Sequence, residues 1–454
     1  MWKIFILAAT WTHLVCAQCN FQDCNRGQPL PMPNGQQQKS PIMDYYNTNR
    51  PNTLASETHT AQSVHPNAPP SQIYFPNDSY NVRVPSEVFD ARLFGLLSGA
   101  LQDRNFCISP VSMQILLTFL STVSEGKLFD ELSRLLNLAN GGHTQVAQIY
   151  RMLTQVPRNN DNVSNTLILA NKLFYDWRFG ETQPNFNNYA HANFATEVNS
   201  MDFVNSLAAA NIINHWVATK TRNLIKNVVF PNYLSPDTTA LLINSLYFKS
   251  EWQTKFGTYD TDFHPFHLNN QQQVQVEMMY NEDIFRYGEF EQLGASVLEL
   301  PYKLEDFSML IILPNDIEGL AALEKRLSTI TIKLIAHRLE RREVQVKLPK
   351  FSIEFDVDMV QPLQHMGLYS LFNNDSRINI FKDQTQRPLV VNSIKHKTYI
   401  NVNEIGTEAA AATVAKITPL SIPLQVKSFI ADHPFIFVIR NSNAVYFMGH
   451  VVKF

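Results

Sequence analysis

The chain has 454 residues, a formal net charge of -3 and 45% hydrophobic residues, with 11% aromatic. That much apolar material supports a large core, and near-neutral charge gives nucleic acid no electrostatic handle. No segment beyond the N-terminus is apolar over the roughly 20 residues a spanning helix needs, so no membrane partner is expected.

The first residues read as a secretory signal over 1–17. Lys3 supplies the charge, an apolar core begins at Ile4, and Val15-Cys16-Ala17 offers a cleavage site before Gln18. The alternative, a membrane anchor, fits less well because the run is short and broken by Thr and His. A secreted, extracellular protein is expected. Residues 18–84 are rich in Gln, Asn, Pro, Ser and Thr and lack apolar periodicity, as at Gln36-Gln37-Gln38 and Pro69-Pro70. Such a segment cannot bury enough surface to offset its ordering entropy, so it is read as a disordered extension, with a docking or processing segment as the functional alternative. Cys16 leaves with the signal, Cys19 and Cys24 are close enough for a local disulfide, and Cys107, between Phe106 and Ile108, reads as a buried inert thiol. No cysteine or histidine spacing matches a zinc site, and no metal or cofactor is expected.

Periodicity begins near Val84, and Val88, Leu93, Phe94, Leu96, Leu97 and Leu101 predict an amphipathic helix. A second helix follows through Ile115, Leu116 and Phe119, opened by Ser109 as cap and Pro110 at the first helical position. Residues 128–138 predict a third, ended by Gly141-Gly142. Residues 167–175 are almost continuously apolar and read as a strand buried on both faces. Residues 211–221 carry Ile212, Ile213, Trp216 and Val217 at helical spacing, and 241–248 form another buried strand, followed by Trp252. Strand-like runs then recur at 297–300, 309–313, 344–348, 390–394, 435–439 and from Val445. Helix-rich early and strand-rich late is an α+β pattern. The basic run His337, Arg338, Arg341, Arg342 is interrupted by Glu340 and Glu343 and reads as a solvated helix end.

The stretch from Glu404 to Thr413 is ambiguous by propensity. Thr407 before Glu408 and the run Ala409, Ala410, Ala411, Ala412 reads as a capped helix start or a linker. Parity allows a strand instead. Thr407, Ala409, Ala411, Thr413, Ala415 and Ile417 would share one uncharged face, while Glu408 and Lys416 fall on the other. Small side chains on the uncharged face suit entry into a sheet already packed beneath.

The pattern Glu404-x-Gly406-Thr407-Glu408, four Ala, Thr413 resembles the reactive-loop hinge of serpins. So do Asn105, Ser109, Pro110 and Ser112, then Asn214, Trp216 and Thr221, then Asn244 in its strand, and the closing Phe447-Met448-Gly449. The resemblance runs from about Val84 to the C-terminus and makes residues 85–454 a serpin domain, with a large, mostly antiparallel central sheet, smaller sheets, helices and an exposed reactive loop. It implies an inhibitor rather than an enzyme, with no catalytic residue: a serine protease attacks the loop and the cleaved hinge inserts as a new strand, a switching transition of a kind already known.

The family's spacing from Gly406 puts the attacked bond at Leu420-Ser421. Leu there implies a target with a hydrophobic specificity slot, chymotrypsin-like or elastase-like. Lys416 is the rival position; it would imply a trypsin-like target and shorten the insertable segment. Ser109, Ser112, Asn244 and His396 match the polar cluster where the sheet must part, and Trp252 the aromatic where insertion begins. The resemblance also implies a monomer that acts once, and the Gln/Asn-rich extension is similar to that of secreted arthropod serpins of the necrotic type, which restrain protease cascades of Toll-type immune signalling. A non-inhibitory ligand carrier or chaperone is the alternative, and bulky, charged or Pro hinge residues would mark it. Residues 144–158 hold only Arg151 and Arg158 as basic groups, so strong heparin activation is not expected. Asn77, Asn162 and Asn374 begin glycosylation sequons.

Overall fold

The structure, a computed structural model, describes residues 85–138, 166–383, 387–407 and 426–454. Helix α1 (Pro85–Ala100) buries Leu93, Phe94 and Leu97 as expected, but Phe89 rather than Val88 fills the buried place one turn before Leu93, and Val88 and Leu96 are half-buried. After β1 (Phe106–Ile108) comes α2 (Pro110–Thr122). Ser109 is extended and its side chain accepts the Ser112 N–H, so the predicted cap forms. Helix α2 is buried almost all round, as a helix enclosed by other layers must be. Helix α3 (Gly126–Leu135) ends earlier than its apolar spacing predicts. Asn137 takes a left-handed φ of 50°, and the Leu138 and Asn137 N–H groups close onto the carbonyls of Ser133 and Arg134. That paired closure terminates the helix before the glycines are reached.

The chain continues as β2 (Thr166–Asp176), α4 (Phe186–Phe194), β3 (Thr196–Met201), α5 (Ser206–Lys220) and β4 (Ala240–Glu251). It then runs through β5 (Asp262–His267), β6 (Gln273–Phe290), β7 (Ala295–Pro301), β8 (Ser308–Pro314), α6 (Leu320–Leu327), α7 (Ile332–His337), β9 (Glu340–Pro349), β10 (Phe351–Asp358) and α8 (Val360–His365). The last strands are β11 (Val391–Val402), β12 (Gly406–Thr407), β13 (Lys427–Ile430), β14 (Phe435–Arg440) and β15 (Val445–Val451). One sheet has nine strands in the order β1-β15-β14-β8-β7-β6-β9-β13, with β5 also on β6. The other has six in the order β10-β11-β12-β4-β2-β3, and there β11 also pairs β4 directly.

Side chains alternate across the six-stranded sheet. Leu242, Leu246 and Phe248 of β4 join the main core with α2, whereas Leu241 and Ile243 join a smaller core under α5. Three further details depart from the sequence reading. The first four residues of β2 are only half-buried, because β2 is covered on both faces only farther along. On α5 the inward residues are Ala209, Ala210, Ile213 and Val217, and Ile212 is 54% exposed: a helix lying on a flat sheet presents only a narrow stripe. Arg341 and Arg342 lie on β9 rather than at a helix end, with Arg342 paired to Glu340.

Candidate functional site

The centre of the six-stranded sheet is a seam between β4 and β11. These strands pair in parallel, from Ser393 opposite Leu241 to Tyr399 opposite Tyr247. At mid-seam His396 lies opposite Asn244, and both point to the α2 side. The His396 Nδ1–H donates to Asn244 Oδ1 at 2.6 Å, and His396 Nε2 accepts the Ser109 N–H at 3.0 Å. These two partners fix a neutral imidazole with its proton on Nδ1. Ser112 Oγ donates to Asn244 Oδ1 at 2.8 Å, while Asn244 Nδ2 donates to the Ser112 carbonyl at 3.0 Å and to Asn171 Oδ1 at 2.6 Å. His396 is fully buried, and desolvation holds its pKa down at about 3. The network therefore ties α2 to both strands of the seam, and its His396–Asn244 hydrogen bond exists only while β4 and β11 touch.

One end of the seam is already occupied. After β11 the chain turns through Asn403, whose N–H donates to the Gly406 carbonyl at 3.0 Å and whose Oδ1 accepts the N–H of Ile405 at 3.0 Å. It re-enters as β12, antiparallel to both neighbours: Thr407 faces Val402 on one side and Ser250 on the other. Gly406 is required by close approach, since a Cβ there would lie 2.1 Å from the Ser250 carbonyl oxygen. Thr407 is fully buried, with Oγ1 2.8 Å from the Tyr302 hydroxyl. Trp252 stacks on Tyr302 with ring centroids 4.5 Å apart. Its Nε1–H donates to the Asn403 carbonyl at 2.9 Å and its backbone N–H to that of Ile405 at 2.8 Å. Glu404 accepts from Thr261 Oγ1 at 3.0 Å and lies 3.4 Å from Lys350 Nζ.

Ser109, Ser112, Asn244 and His396 are thus brought together, whereas Trp252 stands apart from them at the occupied end, beside Glu404, Gly406 and Thr407. Glu408, Ala409, Ala410, Ala411, Ala412, Thr413, Lys416, Leu420 and Ser421 lie outside the described residues, as do Asn77, Asn162, residues 144–158, Cys19 and Cys24. Asn374 is exposed, and Cys107 is buried and unbonded. Sequence reasoning missed two participants. Asn171, a polar residue inside an apolar strand, carried a signal that was there to be used; Tyr302 carried none, because only the sheet brings it to Thr407. Among the described residues no acidic, His or Cys group is clustered for a metal, and no helix is long and apolar enough to cross a membrane.

Comparison with known proteins agrees with this architecture. The family model described as Serpin (serine protease inhibitor) matches residues 86–454. Serine protease inhibitor 42Dd of Drosophila melanogaster is 35% identical over 363 residues, covering 80% of this chain and 94% of that protein. Leukocyte elastase inhibitor of Sus scrofa is 34% identical over 374 residues, covering 80% and 97%. The crystal structure of Serpin48 from Tenebrio molitor, described as a highly specific serpin, is similar with a TM-score of 0.73 at 32% identity, over 82% of this chain and 97% of that one. On the family match and on relatives of this identity and coverage, the chain belongs to the serpin family of serine protease inhibitors.

Proposed function

We propose that the protein is a secreted suicide inhibitor of a serine protease with hydrophobic specificity, with Leu420-Ser421 as the attacked bond. The protease serine attacks the Leu420 carbonyl, the Ser421 amine departs, and the acyl-enzyme is left tethered to a strand free to move. The observation that carries the reading is β12: a strand already begun between β11 and β4, while those strands still pair with each other farther along.

The register of β12 supports it further. Each later residue would step one place back along β11 and one along β4. Six steps beyond Thr407, Thr413 would face His396 and Asn244, on their side of the sheet. Its hydroxyl would enter the polar network that parting of the seam leaves open. Ala409 and Ala411 would share that face, as the uncharged parity set requires. On the other face Glu408 would face Lys249, and Lys416 would face Ser393, which donates to Asp358. Leu420 would fall beyond Ala240, where β4 begins, so the attached protease would be carried past the end of the sheet. From Gly406 to Leu420 an extended chain reaches roughly 45–50 Å, about the diameter of a domain of this size.

The energy suffices. About ten new strand residues at about 1 kcal/mol per net hydrogen bond give on the order of 10 kcal/mol. A protease domain is stable by about 5–15 kcal/mol, so distorting its active site before the ester is hydrolysed is feasible. We also propose that residues 1–17 direct secretion, that residues 18–84 form an extension outside the 85–454 domain, and that the target acts in an extracellular, immune-type cascade. The exposed position of Asn374 suits a glycan.

Mixing the purified protein with chymotrypsin, elastase and trypsin tests the reading. An SDS-stable covalent complex is expected with the first two. Clean loop cleavage by all three enzymes without any complex would favour the ligand-carrier alternative.

A further inference from the structure

Tyr259 is 89% exposed, more than any other aromatic side chain among the described residues. It stands in the connection from β4 to β5, in a turn over 257–260. One backbone hydrogen bond closes that turn, from the Asp260 N–H to the Gly257 carbonyl at 3.1 Å. Five of the six residues from Thr258 to Phe263 are exposed. The sixth, Thr261, is the one whose hydroxyl donates to Glu404 at 3.0 Å. The connection is thus pinned at Thr261 and open to solvent on either side of it, next to the segment that leads into β12. Exposed turns of this kind are where other enzymes reach a folded chain.

The surroundings of the ring set it apart from the other tyrosines near the surface. Tyr233 lies over Lys395 Nζ at 4.5 Å, Tyr189 packs edge-on against Phe194, and the Tyr280 hydroxyl donates to Glu282 at 2.6 Å. Tyr369 is exposed, but the residues after it are Ser370, Leu371 and Phe372. Tyr259 is followed directly by Asp260 and, three places on, by Asp262, and both carboxylates are exposed. Asp262 Oδ1 accepts the Phe263 N–H at 2.7 Å. The cations close to the turn are committed elsewhere: Lys255 to Glu251, and Lys350 to Glu277 and Glu404. Among the described residues the Tyr259 hydroxyl has no partner and no cation neutralises Asp260 or Asp262. An accessible phenol flanked by free carboxylates is the substrate of transferases that read acidic residues through a cationic groove.

We propose that Tyr259 is a tyrosine-sulfation site, modified as the chain passes through the secretory pathway. The phenolic oxygen attacks the sulfur of an activated sulfate donor, the mixed phosphate–sulfate anhydride of a nucleotide. The new O–S bond forms as the bond from sulfur to the phosphate oxygen breaks. The phenolic proton passes to a base of the transferase, and the nucleotide phosphate leaves. Asp260 and Asp262 supply the charges by which the enzyme selects this tyrosine. The ester keeps a negative charge at every physiological pH. It converts an aromatic tip beside Glu404 into a fixed anion with three free oxygens, suited to the guanidinium of an arginine. The site rests on the secretion proposed above, because these transferases act in the lumen of the secretory pathway.

The full chain, expressed with its own leader in cultured cells that sulfate a control substrate, is recovered from the medium and digested. The peptide carrying Tyr259 should be heavier by one SO3 group, lose that mass on brief heating in acid and keep it through phosphatase treatment. Tyr259→Phe should abolish the shift. Asp260→Asn combined with Asp262→Asn should lower the modified fraction about tenfold, as for loss of a charged hydrogen bond to the enzyme. Secreted protein with a bare Tyr259 would overturn the site, and so would a mass that phosphatase removes or one that survives in Tyr259→Phe. An unchanged fraction in the double Asn variant would overturn the role given to the two carboxylates. Protein that never reaches the medium would remove the secretion reading instead, and the same chain behind the control's leader then decides the sulfate by itself.

Discussion

His396 makes the closed seam sensitive to acid by an amount that follows from its contacts. Its Nε2 accepts the Ser109 N–H, so a proton placed there would point at another donor, and no solvent reaches the ring. The native pKa is accordingly lowered to about 3 by burial, against about 6.5 for an unfolded histidine. Between those values the native state binds fewer protons than the unfolded chain. The stability from the neutral imidazole is thus complete above about pH 6.5 and is lost as pH falls toward about 3, at about 1.4 kcal/mol per unit. At about pH 5 the loss is about 2 kcal/mol, a sizeable part of the 5–15 kcal/mol by which domains are stable. Urea titrations of the wild type and His396→Gln at about pH 7.5 and about pH 5 separate this effect from that of the carboxylates, because Gln does not titrate. The wild type should lose about 2 kcal/mol more than the variant. Equal losses would refute the reasoning, whatever the variant's stability at neutral pH.

Three further outcomes are expected. Thr407→Arg puts a guanidinium where a fully buried threonine meets Tyr302, a burial that costs several kcal/mol, so chymotrypsin should still cleave the loop while the covalent complex disappears from denaturing gels. In Gly406→Ala the new Cβ would collide with the Ser250 carbonyl and β12 would leave the seam; the number of inhibitor molecules consumed per trapped protease should rise, and an unchanged number would show that early seating of β12 is irrelevant. Nicking between Leu420 and Ser421 should raise the melting temperature strongly, since the added strand contributes on the order of 10 kcal/mol; calorimetry of the nicked and intact proteins decides this.

What could be read in the sequence follows the range of the forces involved. The α2 cap was legible because Ser109 and Pro110 act within one turn. The long apolar run gave β4 because a strand covered on both faces must be apolar throughout; the same signal located β2 but overstated the burial of its first four residues. The end of α3 falls short of the place its apolar spacing predicts because Asn137 offers the same left-handed closure as a glycine would. The face of α5 was misjudged because Ile212 and Ile213 are both apolar, and only the sheet beneath decides which one is buried. Within the site, His396 and Asn244 were reached through family resemblance. Their hydrogen bonds depend on a parallel register between strands about 150 positions apart, which no local pattern encodes.

The hinge makes the same point in reverse, for its composition becomes intelligible only against its neighbours. The ladder set by Thr407 would place Ala410 between Tyr399 and Tyr247, Ala412 between Lys397 and Ser245, and Val414 between Lys395 and Ile243. The alanines would thus meet the Tyr399–Tyr247 and Lys397–Ser245 pairs, and the larger valine would come only after the tyrosine pair has been passed. Interiors pack near the density of organic crystals, and an added methylene group typically costs 1–3 kcal/mol, so a bulky hinge could not enter a sheet whose flanking strands are already filled. Helix propensity explains an alanine run equally well when the run is read alone. It does not explain why, on the proposed insertion, threonine would stand opposite both the Val402–Ser250 and the His396–Asn244 pairs. Alanines between two threonines at those places are what the proposed insertion asks for, and substituting leucine for Ala410 should hinder insertion more than the same change at Glu408, nearer the end that β12 already occupies.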